Sequence, residues 1–309
     1  MVDLFSGGGG FSRGFAEVGL SPALGVELNH AAARTYSLNF PEAQVLEEDI
    51  REVDGSLISK LVGEVDILIG SPPCEPFTAA NPTRRKNPIE RLYSDERGLL
   101  TLEFVRLVGE LNPRVFVMEN VPALVESVEL REALRAEFAR VGYEIHFNVL
   151  SALELGNPSK RVRIFISNAR LDPPKVTLHP SVWESIGDLD GKEGKVPNHE
   201  VREVTEAKLR KISRLGYGGY LTMFEGSARK IPLYLRLDPS KPAPTVLGNS
   251  RFIHPFRDRW LTVREQARLM GYPDDHVFLG SLDEQFNQVG ESVPVPVARA
   301  VAKEVSKLF

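Results

Sequence analysis

Short apolar, β-rich runs recur along the first 170 residues, at positions 2–5, 24–28, 65–69 and 115–118. Longer stretches with apolar residues three and four apart follow or separate them, at 11–18, 30–39, 99–111 and 130–141. This alternation constrains the fold more than any other feature, because it is the signature of an α/β, doubly wound, Rossmann-like parallel sheet. Two further strands are expected at 143–150 and 163–167. The link between them, 151–162, is too short for a crossover helix, so the two are predicted to pair antiparallel. After Asp172-Pro173-Pro174 the rhythm is lost and Gly, Pro and basic residues dominate, which predicts a second, smaller domain. Helices are predicted again at 262–270 and 297–309, the latter with Val297, Ala300, Val301 and Val305 on one side.

The length of 309 residues allows one large domain or two of ordinary size, and an apolar fraction of 42% supplies a conventional core. A single cysteine excludes internal disulfides and cysteine-rich zinc modules and suits a reducing compartment. No apolar run approaches the roughly 18 residues of a membrane span, and no basic, cleavable leader precedes the first strand; a cytoplasmic protein without a membrane partner is expected. The net charge of −4 hides a segregation: residues 201–264 hold thirteen Lys or Arg against five acids, a local balance of +8. Such a basic segment is the electrostatic footprint of a polyanion-binding module.

The lone cysteine lies in Gly70-Ser71-Pro72-Pro73-Cys74-Glu75-Pro76-Phe77-Thr78, directly after an apolar run. A solitary cysteine is ordinarily a small buried hydrophobe. A strand that stops at Gly-Ser-Pro-Pro instead delivers the thiol to the carboxyl edge of a parallel sheet, where open α/β folds carry ligands and chemistry. The run Asp3-Leu4-Phe5-Ser6-Gly7-Gly8-Gly9-Gly10-Phe11 leads a strand through a glycine turn into a helix. Without Cβ atoms the turn lets a ligand approach the backbone. It does not match GxGxxG, since Ser12 or Arg13 stands where the third glycine belongs, so a cofactor without a pyrophosphate is preferred. Glu27, about twenty residues on, is placed to accept from ribose hydroxyls, and Asp49 to accept from a purine amine. Glu119 ends a buried strand at the same edge as Cys74, a costly position for a carboxylate that is neither used nor paired. Arg161 and Arg163, two apart, would face the same side of an extended segment.

In this order the motifs resemble those of the cytosine-5 DNA methyltransferase family of prokaryotic restriction-modification type, over nearly the whole chain. The glycine turn, Pro73-Cys74, Glu119-Asn120-Val121 and Arg161-x-Arg163 carry the likeness. So do Arg259-x-Leu261-Thr262-x-x-Glu265-x-Ala267-Arg268-Leu269-Met270-Gly271-Tyr272-Pro273-Asp274 and Gly290-x-Ser292-Val293-Pro294. The resemblance implies a catalytic domain of residues 1–172 plus 277–309 and a target-recognition domain over 173–276. It implies S-adenosyl-L-methionine as cofactor, met by Phe5, Ser6, Gly7, Gly9, Gly10, Glu27, Leu28, Asp49, Ile50, Pro73, Leu100, Ser292 and Val293, and no metal.

Carbon 5 of cytosine is a poor nucleophile, so the implied chemistry begins with Cys74 adding to carbon 6. Glu119 holds N3 and the exocyclic amine, and Arg161 and Arg163 help keep the thiol deprotonated. The base is flipped out of the duplex to be reached. Thr78 and the basic stretch 81–97, with Arg84, Arg85, Lys86 and Arg91, are expected to meet the substrate as a closing loop. The implied partners are double-stranded DNA and a cognate restriction endonuclease, with the protein itself a monomer. Ser159 replaces the family's usual glutamine, and Glu291 its usual asparagine, so Ser292 and Val293 carry over but Glu291 does not. Thr78 is similar to the branch that methylates transfer RNA, whose Cys-Phe-Thr signature is absent here. RNA cytosine methylation and a catalytically silent nucleic-acid-binding module therefore stay open as alternatives.

Overall fold

The computed structural model describes residues 1–227, 230–248 and 252–309; Arg229 and Arg251, counted above in the basic segment, lie outside them. Among the described residues the chain forms one seven-stranded sheet and one hairpin. The strands are β1 (Val2–Leu4), β2 (Leu24–Val26), β3 (Gln44–Leu46), β4 (Ile67–Gly70), β5 (Val115–Asn120), β6 (His146–Ser151) and β7 (Val162–Ser167), with β8 (Tyr220–Glu225) and β9 (Lys230–Leu235) as the hairpin. The sheet order is β3-β2-β1-β4-β5-β7-β6. The first five strands run parallel. β7 is antiparallel to both β5 and β6, as the short link predicts for the last pair. The doubly wound, mostly parallel sheet is thus the one expected from the alternating pattern.

Continuous apolar runs form the central strands because both faces are covered. Leu68, Phe116, Met118, Ile164 and Ile166 enter a core on one face with Phe104 and Phe138. Ile67, Ile69, Val115, Val117 and Phe165 enter the opposite core with Phe11, Phe15, Val297 and Val301. The last helix, Val295–Ser306, therefore completes the first lobe. Its approach to the helix Gly10–Ala16 is so close that a Cβ on Gly14 would overlap Ala298. A further core joins Val182, Ile186, Leu237 and Val246 to Tyr272, Phe278, Phe286 and Val289. Tyr272 and His276, from the segment expected in the second domain, reach the glycine turn.

The order of strands sets the position of the site. β1 is flanked by β2 on one side and β4 on the other, so the winding reverses between β1 and β4. The glycine turn after β1 and the Pro-Pro-Cys loop after β4 leave side by side at that switch point, where open α/β sheets bind ligands. Gly70 pairs with Leu4 at this edge, and a Cβ there would lie 2.7 Å from the Leu4 carbonyl oxygen.

Candidate active site

Four side chains from three strand ends converge on the switch point. Cys74 is half-buried in a turn whose Phe77 and Thr78 N–H groups both donate to its carbonyl oxygen at 3.0 Å. Asn120, part of the Glu119-Asn120-Val121 motif but given no role by the sequence, ties the neighbouring strand end to this loop: its Nδ2 donates to the Pro72 oxygen at 3.1 Å. Glu119, 5% exposed, forms an ion pair with Arg163, Nε to Oε1 2.9 Å. That oxygen has no aligned hydrogen-bond donor among the described residues. Arg163 Nη1 donates to the Val162 oxygen at 2.8 Å.

Arg161 lies near enough for its charge to pull the Cys74 thiol down, more weakly than Arg163, but its hydrogen bonds serve the fold. Its guanidinium is buried and donates to the Val246 oxygen at 2.8 Å and the Gly290 oxygen at 2.9 Å, joining two distant segments behind the site. Burial, then the charge of Arg163, pulls it down to about 9. The thiol departs from expectation. Burial pushes Cys74 up to about 11, outweighing the pull of Arg163, so it is protonated at neutral pH rather than held as thiolate.

Beside these residues the glycine turn winds tightly, with Phe5, Gly7 and Gly9 at φ of 58°, 52° and 87°. Gly7 N–H donates to Glu27 Oε2 at 2.8 Å, and Asn29 N–H to Glu27 Oε1 at 2.7 Å. Burial raises the Glu27 carboxyl despite these donors. Ser292 caps its own helix through Val289, and the Val293 oxygen would lie 2.7 Å from a Cβ on Gly10, so the last motif closes the turn from behind. Beneath, buried Asp3 Oδ2 accepts from Ser12 Oγ at 2.6 Å, and Ser12 Oγ lies 2.7 Å from the Tyr36 hydroxyl. Glu291 is crowded: burial and then Glu75 and Glu27 raise its carboxyl.

These features fit a nucleoside-bearing cation. A Cβ-sized space stands open at Gly7, the buried Ser6 hydroxyl has no partner among the described residues, and the Glu27 carboxylate sits against the turn. Leu28 is 65% exposed, a free apolar face at the same edge. Asp49 caps the turn Ile50–Glu52 and pairs with Arg51 at 2.6 Å, so its acceptors are partly committed, while Ile50 is buried. Pro73 and Leu100 are both partly exposed, Leu100 packing on the first core.

The expected substrate loop is more ordered than its composition suggests. It holds the helix Pro88–Tyr93, and Arg91 is buried within it, donating to the carbonyl oxygens of Arg85 at 2.8 Å and Lys86 at 3.0 Å. Arg84 donates to the Phe77 oxygen and Arg85 to the Ser94 oxygen. Three of the four cations thus brace the loop itself, and Lys86 is exposed. Thr78 Oγ1 accepts from Ala80 N–H at 3.3 Å. Among the described residues, no His, Cys, Asp and Glu cluster suits a metal ion and no helix is long and apolar enough to cross a membrane.

The family model described as C-5 cytosine-specific DNA methylase matches residues 1–307. A Methanocaldococcus jannaschii protein assigned as a type II methyltransferase is 42% identical, the match covering 99% of this chain and 97% of that one. A type II methyltransferase of Haemophilus parahaemolyticus is 36% identical over 99% of this chain and 86% of its own. Among solved structures, a prophage-encoded Escherichia coli protein assigned as a DNA modification methyltransferase matches with a TM-score of 0.77 at 25% identity, covering 99% of this chain and 98% of that one. Spodoptera frugiperda DNMT2 shares the fold at a TM-score of 0.67 and 20% identity, covering 100% and 98%.

Proposed function

Because the chain belongs to the C-5 cytosine-specific DNA methylase family, we propose that it transfers a methyl group from S-adenosylmethionine to carbon 5 of a flipped-out cytosine in a specific DNA sequence, through a covalent Cys74 adduct at carbon 6. The observation that carries this reading is the meeting of Cys74, Glu119 and Arg163 at one sheet edge, beside a glycine turn backed by Glu27.

Phe5, Ser6, Gly7, Glu27 and Leu28 are the residues to hold the cofactor, with Glu27 accepting from ribose hydroxyls. When bound, S-adenosylmethionine supplies an electrophilic methyl group. Cys74 loses its proton to water as its sulfur adds to carbon 6, and the electron pair of the 5,6 double bond moves to carbon 5. Glu119, once protonated, donates to N3 and accepts from the exocyclic amine, stabilising the negative charge that attack develops. Arg163 faces the base O2 and attracts the developing thiolate. After methylation, loss of the carbon 5 proton restores the double bond and expels the Cys74 sulfur.

In this reading residues 173–276 supply the target-recognition domain, the protein acts as a monomer, and a cognate restriction endonuclease reads the same sequence. The test is bisulfite sequencing of mixed-sequence duplex DNA after incubation with protein and cofactor. Protected cytosines in one sequence context are expected. Labelling of transfer RNA with no modified cytosine in DNA would establish the RNA reading, which Thr78 favours, instead.

A further inference from the structure

His276 is fully buried, and no step above uses it. Its Nε2 lies 2.7 Å from the carbonyl oxygen of Gly8, inside the glycine turn. A carbonyl only accepts, so Nε2 must carry a proton. Burial, stronger than the contact with Gly8, lowers the imidazole to about 3, so the ring is neutral and Nδ1 is left as a bare lone pair. Nδ1 has no hydrogen-bond partner among the described residues. The ring is fixed by its neighbours: Tyr272, Phe278 and Phe40 have centroids 4.7, 5.1 and 6.2 Å away.

The other end of the same peptide is also held. Gly9 N–H donates to the Ser6 oxygen at 2.9 Å, so the Gly8–Gly9 peptide is pinned through its oxygen by His276 and through its N–H by Ser6. Pinning matters here because consecutive glycines have many accessible conformations, and this turn needs positive φ at Gly7 and Gly9.

We propose that His276 is a positioning residue which, through Gly8, holds the glycine turn in the shape that binds the cofactor. The inference rests on reading that turn as the cofactor site. His276→Phe keeps a ring among the three aromatics but removes the donor; His276→Gln keeps an amide donor. In calorimetric titrations with S-adenosylhomocysteine, the Phe variant is expected to bind about tenfold more weakly and the Gln variant within about threefold of the parent. Nitrogen NMR of the histidine ring in the parent protein is expected to show Nε2 protonated and Nδ1 bare down to pH 5.

Equal affinity in a folded His276→Phe protein, or an Nδ1–H tautomer or imidazolium at pH 6, overturns the proposal. If the Phe variant does not fold, the Gln variant and the ring spectrum decide. Glu27→Ala separates the two levels. If it binds as tightly as the parent, the cofactor reading of the turn fails and this inference with it. If it weakens binding while folded His276→Phe does not, only the role of His276 is lost.

Discussion

Arg163 and Glu119 meet across neighbouring antiparallel strands, Nε to Oε1 2.9 Å, with side chains only 13% and 7% exposed. The charges compensate each other, but the same carboxylate oxygen has no aligned donor. A pair held for stability alone would satisfy that oxygen, because an unmet buried acceptor costs free energy. Under the proposed function it is this carboxyl that meets the base, so the pair with Arg163 must loosen before the oxygen, closed off here, is used.

Removing the cation alone should therefore be costly. Arg163→Met leaves Glu119 uncompensated, and breaking a sheltered pair in this way costs about 3 kcal/mol, readable as a lowered urea midpoint. Combining it with Glu119→Gln should restore part of that stability. Methyl transfer should fall at least about a hundredfold in both proteins. A double variant no more stable than Arg163→Met would show that the pair does not compensate as described.

The Cys74 thiol gives a second test. With burial holding it at about 11 against the pull of Arg163, on the order of one molecule in a thousand carries thiolate at pH 8. Alkylation by iodoacetamide in the free protein should be slow and climb about tenfold per pH unit between pH 7 and 9.5. In Arg163→Met it should be slower at every pH. A rate that levels off near neutrality would mean that the thiol is already activated.

The parts of this site that were legible in the sequence are those fixed by local pattern. Apolar runs ending at Gly70 and at Glu119 announced buried strands, and parallel strands put their exits at one edge. The turn at Gly7–Gly10 was visible because only glycines tolerate such a path. The hydrogen bonds of Arg161 to Val246 and Gly290 were not legible in the sequence, because they join segments 85 and 129 residues away. Arg91 was misread because a loop arginine that braces carbonyls looks, in sequence, like one that meets a phosphate. The contact of His276 with Gly8 spans 268 residues and leaves no local trace. The insertion of β7 between β5 and β6 depends on pairing that chain order does not specify.

Asp3 makes stability depend on pH. Burial raises its carboxyl to about 7, opposed by the Ser12 hydrogen bond and aided by the charge of Glu27. A group whose folded pKa is raised stabilises fully below its unfolded value and loses that contribution as pH rises through the folded one. Stability should thus fall between about pH 4 and 7 by roughly 2–4 kcal/mol from this group. Asp3→Asn, whose amide oxygen can still accept from Ser12, should flatten that slope in urea titrations and be the more stable protein at pH 8. An unchanged slope would assign the pH dependence elsewhere.

The segment just after β8 touches the loop that carries Cys74. Ser227 Oγ donates to the Ala79 oxygen at 3.1 Å, and a Cβ on Gly226 would lie 2.7 Å from that oxygen. Ala79 is five residues past Cys74, so this contact ties residues 226 and 227 to the loop that carries the thiol. If duplex DNA reaches Cys74 between these two segments, this contact must part first. Ala79→Cys with Ser227→Cys, oxidised and mapped by mass spectrometry to a bond between the two introduced thiols, should lose at least about tenfold in DNA affinity and regain it on reduction. Affinity for S-adenosylhomocysteine should stay the same in both redox states. Undiminished DNA binding by the cross-linked protein would mean that the duplex reaches Cys74 without passing between Ala79 and Ser227.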